Sequence, residues 1–234
     1  MVISLRLFIA ISLPESWTAA LHSASAVLRK HSLHGSFTRR ENFHLTLAFL
    51  GNLASPAPAQ KAMSAVEAAP FILRATAPGR FCRPDGDVWW VGIAPCPGLS
   101  ALQRELCIRL RAAGLSVEER PFIPHLTLGR RVTVQDSFSP RLLESVLPSL
   151  EVPVDSFSLM QSEQRGGILR YTPIYRRSLG VSSLSRRLPE RRRAPPDQES
   201  GGARPFQEQK RCFPMTLMRG RLQIHALVAV SGLK

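Results

Sequence analysis

Hydrophobic positions along the first 180 residues follow two periodicities, one typical of strands and one typical of helices. Short apolar runs bounded by turn-forming residues predict seven strands, at residues 5–12, 43–50, 71–77, 88–94, 125–132, 152–161 and 170–176. Apolar residues at helical spacing predict helices at residues 14–31, 57–69 and 99–113, with a short fourth helix at 140–147. Strands and helices therefore alternate, in an order that indicates two similar units in tandem.

The composition changes after about residue 179. Residues 181–234 are rich in Arg, Pro, Ser, Gly and Gln and poor in apolar residues over most of their length. Such a segment cannot bury enough apolar surface to offset the entropy of ordering it. We therefore predict a folded domain at residues 1–180 and a basic, disordered extension at residues 181–234.

The chain is strongly basic, with 31 Lys and Arg against 17 Asp and Glu and a net charge of +14. This excess favours a polyanionic partner but predicts no fold. The four cysteines form no Cys-x-x-Cys pair, so thiols in a reducing compartment are expected rather than a metal site or a disulfide framework. The apolar start is short for a signal peptide and lacks a cleavage site, and no stretch reaches the length of a membrane span. We expect a monomeric protein of the cytoplasm.

The sequence His-Leu-Thr-Leu occurs twice, beginning at His44 and at His125. Alternate side chains of a strand share a face. His44 and Thr46 should therefore point one way and the two leucines the other, and the same holds for His125 and Thr127. We expect the leucines to pack against helices, and the two His-Thr pairs to face one cleft between two lobes.

Two converging histidines suit the hydrolysis of a phosphodiester without a metal ion. Because an unperturbed imidazole has a pKa of about 6.5, one ring can be protonated while the other is neutral. Each group then contributes roughly 10²–10⁴-fold as a general acid or base. Threonine hydroxyls can donate hydrogen bonds to the non-bridging oxygens. Such a pair predicts a bell-shaped pH dependence with limbs at about pH 5 to 8.

Plainer interpretations exist for the same residues. A single histidine on a strand is usually an ordinary core or surface residue, and a pair from two strands could bind a metal. Neither motif, however, has a third ligand at suitable spacing. The recurrence of all four residues favours a catalytic pair with no metal and no cofactor. The adjacent Trp89 and Trp90 face opposite ways on a strand, so one belongs to the core and the other either packs or reaches the cleft.

In order along the chain stand the segments LRLFIAISLPE, ENFHLTLAFLGN, VWWVGI, RPFIPHLTLGR and RGGILRYTPIYRRSL. In this order and spacing they resemble the two-histidine (2H) phosphoesterases, and among them the bacterial RNA 2′,3′-cyclic phosphodiesterases, also called 2′-5′ RNA ligase-like proteins. The resemblance covers roughly residues 4–180. It implies a bilobal α+β fold in which two pseudo-symmetric lobes with antiparallel sheets surround a central groove.

The resemblance also implies an activity, the hydrolysis of RNA or nucleoside 2′,3′-cyclic phosphates to 2′-phosphates. In family terms His44 is the proton donor to the departing 3′ oxygen, and His125 is the acceptor that activates water. Thr46 and Thr127 are phosphate ligands. Arg130 is either a further phosphate ligand or an exposed charge at the end of its strand. The implied partner is RNA with a 2′,3′-cyclic phosphate end or a small cyclic nucleotide, with no membrane.

Two alternatives remain at this level. The reverse reaction would join tRNA halves through a 2′-5′ bond, although water opposes net ligation. A non-catalytic RNA-binding module would keep the groove and the basic surface, but it would have no need to retain both histidines and both threonines. The basic residues after 180 would add RNA affinity in each case, and that affinity would fall with salt.

Overall fold

The computed structural model describes residues 4–180, which form two antiparallel sheets and four α-helices. The strands are β1 Leu5–Ser12, β2 Ser32–Phe37, β3 His44–Leu53, β4 Phe71–Phe81, β5 Asp87–Ile93, β6 His125–Val134, β7 Glu151–Val154, β8 Ser156–Arg165 and β9 Ile168–Ser178. The helices are α1 Glu15–Lys30, α2 Ala57–Ser64, α3 Pro97–Ala112 and α4 Arg141–Glu144, with a 3-10 turn at Arg40–Asn42.

Each sheet takes strands from both halves of the chain. The first has the order β3-β1-β8-β9 and the second the order β2-β6-β5-β4-β7. The predicted α+β fold with two antiparallel sheets is confirmed. The expectation of two units in tandem is not met, because the chain crosses between the sheets several times instead of completing one before starting the other.

Helix α1 shows how the pattern of apolar residues builds the core. Trp17, Leu21, Ala24 and Leu28 recur every three or four residues and are all buried. The helix lies against β6 and β2. Its buried Ser25 donates a hydrogen bond to the carbonyl of Leu128 on β6, 3.0 Å away. Burying this stripe therefore fixes the helix on the strand that carries the second His-Leu-Thr-Leu.

Some boundaries differ from the predicted ones. Strand β2 was not predicted, because it is an edge strand of mostly exposed residues with no apolar alternation. Helix α2 ends at Ser64 instead of 69. Beyond it the chain pairs with another segment, since the carbonyl of Ala68 accepts a hydrogen bond from the amide of Gly180. Strand β4 runs on to Phe81, four residues past the predicted end.

The strand predicted at residues 152–161 is in fact two strands. Strand β7 pairs with β4 in the second sheet, whereas β8 pairs with β1 and β9 in the first. The change of sheet occurs at Asp155, whose carbonyl accepts a hydrogen bond from the amide of Leu179. A continuous apolar run does not reveal such a crossing, because both pieces have strand periodicity.

Two further predictions concern the whole chain. The extension predicted at residues 181–234 lies outside the described residues. Among the helices of residues 4–180, none combines the length and the apolar character needed to cross a membrane.

Candidate active site

The first motif lies on β3 with its polar residues on one face. Leu45 and Leu47 are 0% and 3% exposed and belong to the main core. His44 and Thr46 point the opposite way and are half-buried. The alternation predicted from the sequence therefore separates core residues from candidate functional residues.

The second motif repeats this arrangement on β6. Leu126 and Leu128 are fully buried, and His125 and Thr127 are half-buried. Strand β3 lies against β6 although the two belong to different sheets. Thr46 from the first strand and His125 from the second line one cavity of about 370 Å³. The structure thus brings the two motifs together in a groove between the sheets.

Both imidazoles are oriented by the backbone in the same way. The Nδ1 atom of His44 lies 2.7 Å from the carbonyl oxygen of Asn42, and that of His125 lies 2.7 Å from the carbonyl oxygen of Ile123. Since a carbonyl oxygen only accepts, Nδ1 is the donor in both rings. The Nε2 atom of each neutral ring then carries the lone pair. In His44 this lone pair accepts a hydrogen bond from the hydroxyl of Thr46, 3.0 Å away.

Asn42 holds the His44 ring in place and was missed by sequence reasoning. It is 6% exposed, and its side-chain amide donates to the carbonyl of Leu169, 3.0 Å away. This bond ties the 3-10 turn before β3 to strand β9. The carbonyl that accepts the hydrogen bond from Nδ1 of His44 is therefore held in place by a contact between residues 127 positions apart in sequence.

Aromatic rings enclose each histidine. Phe8 and Tyr171 lie 4.8 Å and 5.1 Å from the His44 ring, measured between ring centroids. Phe81 lies edge-on to the His125 ring at 5.1 Å, and Trp90 lies at 6.2 Å. These rings come from four different strands. Local sequence gives no signal for them beyond the segments RYTP and VWW.

The two tryptophans do face opposite ways. Trp89 is 3% exposed and packs against Phe138 at 5.3 Å. Trp90 stands opposite Thr127 in the pairing of β5 with β6, on the groove face of the sheet. Its ring covers Gly79, where a Cβ would collide with it. The second tryptophan therefore packs on the groove face without lining the cavities beside the two histidines, and the glycine at position 79 provides the space that it needs.

The surroundings lower the pKa of both histidines. Burial lowers the pKa of His44 from 6.5 to about 4, the hydrogen bond to Asn42 opposes this change, and the charges of Arg130 and His125 add to it. Burial also lowers the pKa of His125, opposed by the bond to Ile123 and reinforced by Arg130. Both rings are therefore mainly neutral near pH 7.

Arg130 extends over the motif that it follows. It is exposed, and its Nη2 atom lies 3.4 Å from the hydroxyl oxygen of Thr127. Next to it, Arg131 has a φ of 52°, and the pairing of β5 with β6 shifts register in this region. The backbone of β6 is therefore irregular just after Arg130. The guanidinium of Arg130 lies at the groove, and its charge lowers the pKa of both histidines.

The chemistry that these groups can perform is proton transfer next to an anion. Two Nε2 atoms, two hydroxyls and one guanidinium surround the groove. Among residues 4–180, no group of three His, Cys, Asp or Glu side chains is arranged to hold a metal ion. An acid, a base and donors for negatively charged oxygens are together sufficient to open a phosphodiester.

Comparisons with known proteins show that the chain is similar to RNA 2′,3′-cyclic phosphodiesterases. Residues 14–166 match the family model described as the 2′-5′ RNA ligase superfamily. The RNA 2′,3′-cyclic phosphodiesterase of Escherichia coli K12 is 30% identical over 189 residues, 74% of this chain and 96% of that protein. The enzyme of the same name from Geobacillus stearothermophilus is 32% identical over 144 residues, 59% of this chain but 46% of its own length. The crystal structure of E. coli LigT with 3′-AMP superposes with a TM-score of 0.62 at 29% identity, covering 76% of this chain and 99% of LigT.

Proposed function

The chain belongs to the 2′-5′ RNA ligase superfamily, as an enzyme of the RNA 2′,3′-cyclic phosphodiesterase type. We propose that it opens the 2′,3′-cyclic phosphate at an RNA end to a 2′-phosphate by paired-histidine catalysis. The main support for this mechanism is one cavity that is lined by Thr46 of β3 and by His125 and Arg130 of β6. A hydroxyl, an imidazole and a guanidinium around one space suit a phosphate group.

In the proposed reaction the neutral Nε2 of His125 takes a proton from water, and the water oxygen attacks phosphorus. The bond from phosphorus to the 3′ oxygen breaks, and the protonated Nε2 of His44 gives its proton to that oxygen. The phosphate stays on the 2′ oxygen, and exchange with solvent returns both rings to their starting states. The two roles follow the family resemblance, since the two His-Thr pairs are chemically equivalent.

The remaining groups stabilise the negative charge on phosphorus. Thr46 and Thr127 donate hydrogen bonds to the non-bridging oxygens, and Arg130 contributes a full positive charge. These interactions replace those that a metal ion makes in other phosphodiesterases. We therefore propose that the reaction needs neither a metal nor an organic cofactor.

The low pKa of His44 makes its role as donor depend on the substrate. With a pKa of about 4, the ring is almost entirely neutral at pH 7 before a substrate binds. A bound cyclic phosphate brings a negative charge beside the ring and offsets the charge of Arg130, and both effects favour the protonated form. We infer that binding of the substrate itself raises the pKa of His44 and loads the proton that is later transferred.

The test is hydrolysis of a short RNA with a 2′,3′-cyclic end by the wild type and by His44→Asn and His125→Asn. Asparagine keeps a donor for the backbone carbonyl but lacks Nε2, so the fold should survive while kcat falls by roughly 100-fold or more. His34→Asn is the matched control, because His34 lies exposed on β2. Wild-type turnover in either motif variant would contradict the mechanism.

A second substrate separates the donor from the acceptor. In the 2′-(4-nitrophenyl) phosphate of a 3′-deoxynucleoside, nitrophenolate takes the place of the departing 3′ oxygen and leaves without a proton. His44→Asn should therefore lose much less activity on this ester than on the cyclic phosphate, whereas His125→Asn should lose both. The opposite pattern would exchange the roles of the two histidines.

The other expectations stand as parts of this proposal. Residues 1–180 carry the reaction, since every side chain of the site lies between Phe8 and Tyr171. The chain acts as a monomer, because both motifs come from one copy. We propose the cytoplasm as its location, where thiols such as Cys82, Cys96 and Cys107, free in the described part of the chain, stay reduced.

A further inference from the structure

The groove around the two histidines is electrically uneven. The cavity beside His125, here called the arginine cavity, is lined by three arginines and one glutamate, namely Arg83, Arg120, Arg130 and Glu118. A cavity of about 440 Å³ reaches His44 from the other side and is called the glutamate cavity. Its charged residues are one arginine and two glutamates, namely Arg40, Glu15 and Glu41. A polyanion is therefore favoured on the His125 side and disfavoured on the His44 side.

One arginine of the arginine cavity is available for a ligand besides Arg130. Arg120 forms an ion pair with Glu118. Within residues 4–180 the guanidinium of Arg83 has no ion-pair partner. The hydrogen bond that Arg83 makes to Asp87 comes from its backbone amide. Arg83 stands in the loop after β4 and is exposed. A phosphate at this place would meet an unpaired guanidinium, which binds phosphate oxygens with two parallel hydrogen bonds.

An aromatic platform lies beside the motif of β3. In the first sheet, Thr46 stands opposite Ala10 and Phe49 stands opposite Phe8. Because Ala10 and Phe8 share a face of β1, Thr46 and Phe49 share the groove face of β3. The register shift that leaves Leu47 without a partner makes this possible, since strict alternation would turn Phe49 into the core. Phe49 is instead 52% exposed and lines the arginine cavity.

We propose that the RNA strand lies along the arginine cavity, with the base of its terminal nucleotide on Phe49 and the preceding phosphate on Arg83. This inference rests on the proposed function. Phe49 and Thr46 stand opposite residues two positions apart on β1, so the two residues lie about 7 Å apart. This distance suits the reach from a ribose-bound cyclic phosphate to its base. An exposed aromatic ring accepts any base by stacking. The preferred substrate is therefore an oligonucleotide without sequence preference rather than a cyclic mononucleotide.

Three substrates of the full-length protein test this arrangement: the cyclic phosphate of the dinucleotide ApA, adenosine 2′,3′-cyclic phosphate, and methyl riboside 2′,3′-cyclic phosphate, which has no base. The wild type should show the highest kcat/KM on the dinucleotide and the lowest on the riboside. Arg83→Gln should reduce the advantage of the dinucleotide over the mononucleotide about tenfold, mainly through KM. Phe49→Leu should cost about tenfold more on the two base-containing substrates than on the riboside.

Arg176→Gln is the matched control, because Arg176 is an exposed arginine bound to Ser156 in a different cavity. It should leave all three values of kcat/KM unchanged. Equal losses on all three substrates for Phe49→Leu would indicate a structural role and overturn the inference. So would an undiminished dinucleotide advantage in Arg83→Gln, or no such advantage in the wild type. A wild type that hydrolysed none of the three would instead overturn the proposed function.

Discussion

The Nδ1 atom of His125 lies 2.7 Å from the carbonyl oxygen of Ile123, two residues earlier in the chain. The other histidine of the pair repeats this relation with Asn42 at the same distance. The duplication therefore extends beyond four letters of sequence to the orientation of each ring. It leaves Nε2 of both imidazoles as the nitrogen available for the proposed proton transfer.

A direct consequence concerns tautomers. Above pH 7, His44 and His125 should both carry their proton on Nδ1, because each Nδ1 donates to a backbone carbonyl. Two-bond ¹H–¹⁵N spectra of the imidazole rings, assigned with the two single Asn variants, measure this. Protons on Nε2 in either ring would contradict the orientation described above.

The pH dependence should differ from that of two unperturbed histidines. The acid limb and the base limb of kcat/KM report the free enzyme, in which the pKa of His44 is about 4 and that of His125 lies below 6.5. The pair therefore holds one proton mainly below pH 6.5, and kcat/KM should fall about tenfold per unit above that pH. The values belong to the coupled pair and not to single residues. A maximum of kcat/KM above pH 7.5 would contradict the lowered pKa values.

Arg130→Gln should change both the height and the position of this profile. Its positive charge lowers the pKa of both histidines, so its removal should raise both values and move the profile to higher pH. The maximum should also fall by roughly 10- to 100-fold, because a hydrogen bond to a charged group is lost. Arg131→Gln, at the next residue, is the control and should leave profile and rate unchanged. A lower maximum of kcat/KM without a shift of the profile to higher pH would mean that Arg130 does not lower the pKa of the histidines.

The two threonines should affect the rate without moving the profile. Thr46→Val and Thr127→Val keep the size and strand preference of the side chain and remove only the hydroxyl. Each should lower kcat/KM by roughly 10- to 100-fold, since a donor to a negatively charged oxygen disappears. Thr133→Val near the end of β6 is a matched control. Unchanged rates in both motif variants would exclude the hydroxyls as phosphate ligands.

Much of this site follows from the sequence because strand alternation is a local rule. A repeated His-Leu-Thr-Leu on a strand is sufficient to place two imidazoles and two hydroxyls opposite four buried leucines. The position of Arg130 three residues later is also local. What the pattern does not contain is which strands become neighbours.

The rest of the site depends on tertiary neighbours. Phe8, Tyr171, Phe81 and Trp90 surround the histidines because β1, β9, β4 and β5 assemble in two sheets that interleave both halves of the chain. The low pKa of His44 arises from that enclosure, and therefore could not be predicted from an isolated motif. Phe49 was not predicted as a site residue for a similar reason. Its exposure depends on a register shift that the sequence of the strand does not indicate.

Metal-free hydrolysis of a 2′,3′-cyclic phosphate is best tested by identifying the end of the product. A short RNA with a 2′,3′-cyclic phosphate is incubated with the protein in excess EDTA, and the terminal phosphate is assigned by ³¹P NMR. Paired-histidine catalysis without a metal predicts complete conversion to the 2′-phosphate at a rate that EDTA does not change. A 3′-phosphate product, or a reaction that stops in EDTA and resumes with a divalent ion, would contradict it.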